Sequence, residues 1–536
     1  MAQKKYLAAI DAGTIGSRTM ITDTEGNVLA LEYDEYPSYF PHPGWVVQNC
    51  TDWWDVICKT THRAIEAARI DPKEIAAVAV TNQRETTTPV GPLPDMEPVM
   101  EPYTSIVWQD RRTAYDRWCP NTPGKWGNIM DWIKADENVG EREFYKRVGL
   151  TVDPYFSMGK ILWIKWHMPE VFEKAACFLC VSGYISSKLC GKFVDDWTNC
   201  SRMGLFNITE NKWDEYICGR MGIPIEKLPE PHPSGEVVGE VTKRAAEETG
   251  FAEGTLVVMG GGDQQCGALG IGVTEPGDIE ATTGTGTFML AYTKEPRFDT
   301  AWPPRVLCSE HCIDHVNECS MFTTGVVYRW FRDQFCREEK EVAARFKIDP
   351  YEIMNAAADT AKLGSRGTLC VPHFIGAGAP YWDPFARGVF VGLELGTTKE
   401  DMMRSILEGA CFYIRASIEA MREMGLEIKE MGITGGLTRN ETFNWMQAQV
   451  YNIPVYLGIE EATPLGACIC AGVGAGFFKD MRDGVKKMVK VLKRWEPEPE
   501  AVEKYDKLYK IWYDIYYALK EKNIYRRLVE VAGELS

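Results

Sequence analysis

A short apolar strand, a glycine turn and a second apolar strand occur twice in this chain, at residues 8–21 and again at 278–292. In the first unit Tyr6-Leu-Ala-Ala-Ile10 enters Asp11-Ala-Gly-Thr-Ile-Gly-Ser-Arg18 and leaves through Met20-Ile-Thr. In the second, Asp278-Ile-Glu-Ala281 enters Thr282-Thr-Gly-Thr-Gly-Thr-Phe288 and leaves through Met289-Leu-Ala-Tyr292. Brief apolar runs bounded by polar turn residues predict buried strands. A chain of 536 residues is also too long for a single core. The repeat therefore predicts two similar α/β domains, residues 1–272 and 273–536.

Three places in this frame offer chemistry. The first turn carries Thr14 and Ser17 hydroxyls and the Arg18 charge, and glycines at 13 and 16 allow backbone N–H groups to approach an anion. Asp11 at the strand end is a candidate ligand for hydrated Mg²⁺. The second turn, through Thr285, repeats the donors without a charge. A third glycine pair, Gly435-Gly436, follows the strand-like Met431 to Thr434, where a purine could lie on bare backbone. No Walker or dinucleotide fingerprint occurs at these turns, so an actin-like nucleotide cleft between the halves is the expectation. Two further strands, 76–80 and 256–259, empty into Thr81-Asn-Gln-Arg-Glu-Thr86 and Gly260-Gly-Gly-Asp-Gln-Gln265. These bring Arg84, Glu85 and Asp263 to the edge of a sheet where ligands collect. Helices are predicted over 51–69, over 402–421 and through the aromatic stripe Tyr505, Tyr509, Trp512 and Tyr516. Thr463-Pro464 reads as a helix N-cap and first-turn proline.

Charge and cysteine usage limit the partners. A formal net charge of -17 disfavours duplex nucleic acid, which demands clustered Lys and Arg. The 17 cysteines are odd in number and scattered through apparent strands and helices, a pattern of reduced thiols. No signal-like or membrane-length apolar run occurs, so a cytoplasmic location is expected. Cys308, His311, Cys312, His315 and Cys319 do not match a paired zinc spacing, and ordinary strand and turn positions are the expectation there.

Several ordered segments resemble the FGGY carbohydrate kinases, nearest to their glycerol-phosphorylating branch. They include Phe40-Pro-His-Pro-Gly-Trp45, Thr81 to Thr87, Ile106-Val-Trp-Gln-Asp-Arg-Arg-Thr113, Asp153-Pro-Tyr-Phe-Ser157, Ser201-Arg-Met-Gly-Leu-Phe-Asn207, Gly262-Asp-Gln-Gln265 and Gly378 to Gly388. The resemblance implies a ribonuclease-H-like, actin-like ATPase domain on each side of a cleft, with ATP and Mg²⁺ and a homo-oligomer, dimer or tetramer. It implies that Arg84, Glu85, Tyr155, Asp263 and Gln264 contact a polyol while Trp108 and Phe288 wall it. Thr14, Ile15, Gly16, Arg18, Thr285, Gly325, Arg329, Gly436 and Asn440 fall on nucleotide-contacting positions, and Asp11 and Asp263 on metal-facing ones. Asp263 is then the general base for transfer of the γ-phosphoryl group to a terminal hydroxyl of glycerol. Ile15 and Arg329 depart from the branch, which usually has hydroxyl and amide side chains there. A kinase for erythritol or xylulose, and a non-catalytic actin-like switch, are the alternatives.

Overall fold

The computed structural model describes residues 4–535. Its frame is two twisted sheets of matching plan. The first has six strands in the order Val237–Glu240, Leu256–Gly262, Ile75–Asn82, Tyr6–Ala12, Gly16–Thr22 and Val28–Glu35. Strands Tyr6–Ala12, Ile75–Asn82 and Leu256–Gly262 are mutually parallel. The hairpin partners Gly16–Thr22 and Val28–Glu35 are antiparallel, as is the edge strand Val237–Glu240.

The second sheet repeats this order with one additional edge strand: Lys493–Trp495, Val455–Leu457, Glu430–Thr434, Asp278–Thr283, Thr287–Thr293, His315–Met321 and Leu307–Glu310. Asp278–Thr283 pairs in parallel with Glu430–Thr434, and that strand with Val455–Leu457. The meander Thr287–Thr293, His315–Met321 and the edge strand Lys493–Trp495 are antiparallel. The two glycine turns thus occupy equivalent corners of two equivalent sheets.

The central strands are apolar on both faces, as parallel strands covered by helices must be. The helix Cys50–Ala68 covers one face of the first sheet through Trp53, Ile57 and Ala64. The opposite face is covered by Ala462–Gly474, a helix from the far end of the chain that packs on Leu7, Ala9, Ala77 and Val258. Small residues permit this close approach; a Cβ on Gly466 would strike the carbonyl of Cys266 in the neighbouring helix Asp263–Ile271. Thr463 and Pro464 lie inside Ala462–Gly474, not at its cap. Glu461 is the N-cap, and the Thr463 hydroxyl donates to the carbonyl of Asp263 at 3.3 Å. The second sheet is covered by the 25-residue helix Lys399–Glu423, opened by a Thr398–Asp401 capping box. Against it packs Pro499–Glu521, whose Tyr505, Trp512 and Tyr516 are buried. The aromatic stripe is core. Among the described residues no helix is long and apolar enough to cross a membrane.

Candidate active site

Asp11, Arg84, Glu85 and Asp263 all lie at or just beyond the C-terminal ends of the three parallel strands of the first sheet. Glu85 turns the chain there with a left-handed backbone, φ 60°, strained for a residue with a Cβ. What holds it is charge. Its Oε1 accepts from Arg202 Nε at 2.6 Å. Arg202 also reaches Glu318 at 3.2 Å, and Glu318 grips Arg84 through two bonds of 2.9 Å. Arg84, Glu85, Arg202 and Glu318 are all buried and their charges cancel. Burial would raise the Glu318 pKa, but the Arg202 and Arg84 guanidiniums hold it down at about 2.

This network changes the expected role of Arg84. Its Nη1 and Nη2 are engaged by Glu318 and Gln265, and its Nε lies 3.5 Å from Asp263. It therefore positions Asp263 and braces the two sheets, rather than presenting an empty fork to a ligand. Among the buried atoms without a partner are Glu85 Oε2 and Arg202 Nη2 of this network and Gln264 Oε1 beside Asp263. Each such atom costs about 1–3 kcal/mol unless something bonds to it, and a hydroxyl, which both donates and accepts, can satisfy either kind.

Asp263 is the first residue of Asp263–Ile271, with Gly262 as the N-cap. It does not cap the helix in the usual sense, because Oδ1 accepts only from the adjacent Gln264 N–H, at 2.8 Å. Its side chain remains 31% exposed. Burial pushes its pKa up to about 7; the Arg84 charge pulls it down, while Glu85 and Asp11 push it up. Asp11 is likewise raised to about 6, by burial and by Glu461 against the pull of Arg18. Asp11 thus adds to the charge that raises the Asp263 pKa, and a divalent cation held between the two carboxylates would relieve it.

Two of the aromatic residues expected at the polyol end, Trp108 and Tyr155, are together. Trp108 packs edge-on against Tyr155, with centroids 5.4 Å apart, and its indole N–H donates to the Thr14 hydroxyl at 3.0 Å. The loop carrying Tyr155 is pinned by Arg111 on Asp153 at 2.7 Å. It is also pinned by buried Lys160, which donates to the carbonyls of Pro154, Tyr155 and Phe156. Burial lowers the Lys160 pKa to about 8. Phe288 is half-buried on the strand Thr287–Thr293, beside the strand that bears Glu318.

The nucleotide positions divide into two groups. Thr285, Gly325, Arg329, Gly436 and Asn440 line one cavity of about 500 Å³, together with Gly284, Tyr351 and Asn355. Gly435, at φ 89°, turns the chain so tightly that a Cβ would lie 2.5 Å from the Thr283 carbonyl oxygen. A Cβ on Gly284 or Gly436 would meet nothing within 4 Å, so these two glycines keep space open. Asn440 also caps the helix Glu441–Tyr451 and donates to Asn355 at 2.8 Å.

Thr14, Ile15, Gly16 and Arg18 lie outside this cavity, on the first sheet's turn. The anion-cradle argument for their glycines is corrected by the packing. The Gly13 N–H already donates to the Gly16 carbonyl at 3.0 Å. Gly16 belongs to a strand, where a Cβ would collide with the Asp34 carbonyl. Ile15 is 65% exposed. Arg18 is paired with Asp11 at 3.3 Å and with Glu461.

Sequence reasoning gave no role to Arg202, Glu318 or Glu461. Arg202 lies within the family-like segment Ser201 to Asn207, whereas Glu318 lies in the hairpin whose cysteines and histidines dominate its local pattern. That hairpin does not gather its own five residues. Cys312 instead meets Cys266 and Cys470 from other elements.

The duplicated sheets, the shared cleft edge and the open cavity are the architecture of two-domain sugar kinases. A gluconate kinase from Lactobacillus acidophilus superposes on 96% of this chain and 98% of its own, with TM-score 0.84 and 23% identity. A Plasmodium falciparum glycerol kinase with ADP covers 96% of this chain and 99% of its own, with TM-score 0.81 and 20% identity. The chain belongs to the FGGY family of carbohydrate kinases. The family's N-terminal domain matches residues 6–270 and its C-terminal domain residues 280–475. Among curated relatives, a glycerol kinase of Thermococcus kodakarensis is 32% identical over 95% of this chain and 96% of its own length. One of Caldanaerobacter subterraneus is 34% identical over 95% and 97%.

Proposed function

We propose that this chain transfers the γ-phosphoryl group of ATP to a terminal hydroxyl of glycerol, giving sn-glycerol 3-phosphate and ADP, with Asp263 as general base. The observation that carries the reading is the Asp263 carboxylate. It stands at a strand end, is open to the cleft and is oriented by Arg84 at 3.5 Å, and burial pushes its pKa up to about 7. A base poised there can accept the proton of a primary alcohol and release it at neutral pH.

Glu85 Oε2, Arg202 Nη2 and Gln264 Oε1 match a triol, whose every hydroxyl both donates and accepts. Trp108, Tyr155 and Phe288 supply its apolar wall. The 500 Å³ cavity suits a purine nucleoside, held by Gly436 and Asn440 with Thr285, Gly325 and Arg329 toward its phosphates. Across the cleft, Thr14, Ile15 and Arg18 form the second phosphate wall, with Gly16 closing the turn behind them through its strand packing. Asp11 and Asp263 would hold Mg²⁺, which when bound offsets charge on the transferred group. Closure of the cleft keeps water from replacing the alcohol as acceptor.

A substrate panel tests the reading: ADP release with glycerol, erythritol, dihydroxyacetone and xylulose, each over a range of concentrations. Glycerol is expected to give the highest kcat/KM. A higher value for a four- or five-carbon substrate would replace glycerol. ATP binding without turnover on any alcohol would make the protein a switch.

A further inference from the structure

The three thiols at the junction of the two sheets form a group that phosphoryl transfer does not use. Cys266, Cys312 and Cys470 are buried, and their sulfur atoms all lie within 4.8 Å of one another. Among the described residues this is the one such convergence of three or more His, Cys, Asp or Glu side chains. The three are far apart in sequence and come from separate elements. Cys266 is in Asp263–Ile271, Cys312 is in the turn between Leu307–Glu310 and His315–Met321, and Cys470 is in Ala462–Gly474.

Glycine shapes the space around them, since a Cβ on Gly261 would lie 2.9 Å from the Cys312 sulfur and 3.2 Å from that of Cys266. Beside the group stands His311, 4% exposed, with neither ring nitrogen hydrogen-bonded. A buried imidazole with two idle nitrogens is costly, which marks this corner as short of a partner.

We propose that Cys266, Cys312 and Cys470 are a thiolate site for one thiophilic d¹⁰ cation, Zn²⁺ or Cu⁺. With metal–sulfur bonds of about 2.3 Å, three sulfurs lie ~4 Å apart around a trigonal Cu⁺ and ~3.8 Å apart around a tetrahedral Zn²⁺, which takes a fourth ligand besides. Sulfurs that already lie within 4.8 Å of one another are close to either arrangement. Soft thiolate sets select these ions over Mg²⁺ or Ca²⁺, so the site is chemically separate from the carboxylates of the cleft. Each thiol loses its proton on binding, and the buried position means the ion enters as the chain folds.

The consequence is mechanical. Asp263 lies one helical turn before Cys266, Glu318 is in the strand that follows Cys312, and Glu461, which holds Arg18, caps the helix of Cys470. An ion at this point ties together three elements that each carry one of the carboxylates Asp263, Glu318 and Glu461.

The test is metal retention by the full chain expressed with added Zn²⁺ or, in a separate arm, with Cu⁺ under reductant. After dialysis against a weak chelator, metal per chain is measured by mass spectrometry. About one ion per chain is expected for the wild type and for Cys58→Ser, which alters a thiol outside the group, and a drop of at least ~10-fold for Cys312→Ala. The arm that retains metal identifies the ion. Should Cys312→Ala not fold, X-ray absorption on the loaded wild type decides, with three sulfur neighbours near ~2.3 Å expected. Wild-type protein without bound metal in either arm, a folded Cys312→Ala that keeps its ion, or a shell without sulfur would overturn the proposal.

Discussion

Glu318→Gln removes one charge from the buried quartet while keeping its shape. The structure sets the size of the loss. Glu318 lies 2.9 Å from Arg84 and 3.2 Å from Arg202. At an effective dielectric of about 20, each contact is worth roughly 5–6 kcal/mol of gross attraction, much of it offset by desolvation. A glutamate brought from its ordinary 4.5 to about 2 corresponds to about 3 kcal/mol in favour of the charged form. Breaking one member of a buried ion pair typically costs about 3–5 kcal/mol, in agreement. We therefore expect Glu318→Gln to lose about 3–5 kcal/mol at pH 7, measured by urea denaturation followed by circular dichroism. Because the folded pKa is depressed, this stabilisation is complete above the unfolded value of 4.5 and fades as the pH falls toward about 2. The wild-type advantage over the variant should shrink across that window. Adding Arg202→Met restores neutrality and should recover part of the loss. A change below about 1 kcal/mol, the size expected of exposed pairs, would refute the reasoning.

Three other outcomes follow from particular side chains. The wild-type kcat/KM for Mg-ATP, which reports the enzyme before the metal reaches Asp263, should fall about tenfold per pH unit below about 7, because Asp263 with its raised pKa accepts a proton only when ionised; a flat profile down to pH 5.5 would count against it. Gly436→Leu should fold normally, since a side chain there meets open space, yet raise KM for ATP at least ~10-fold by filling the cavity, as initial rates over an ATP series would record. Trp512→Ala should cost about 3–5 kcal/mol in urea denaturation, because the indole is fully buried and donates to the Cys370 carbonyl at 2.8 Å.

Local pattern made much of the fold readable. The strands at 6–12 and 278–283 announce themselves by apolar runs that stop at glycine turns, and Lys399–Glu423 by a face of Met403, Ile406, Leu407 and Ala410. Arg84, Glu85 and Asp263 were legible because each directly follows such a strand. What was not legible depends on partners distant in sequence. No local signal says that Glu318 bonds Arg84 across 234 positions. Nor does one say that Ala462–Gly474 crosses back to the first sheet, which moved its cap from Thr463 to Glu461. The cysteines were read along the hairpin, where spacing can be counted; Cys312 finds its neighbours through the packing of two other helices. Gly16 misled for a related reason, since a missing side chain serves a close strand as readily as an anion, and only the Asp34 carbonyl distinguishes them.

Asp263 is the centre of this account, and rapid-quench measurement of phosphoryl transfer to glycerol under ATP saturation, in wild type and Asp263→Asn, tests it most directly. The amide keeps the size of the side chain but cannot accept the proton, so the rate should fall by about 10²–10⁴-fold while ATP still binds. Transfer at the wild-type rate in Asp263→Asn would contradict it.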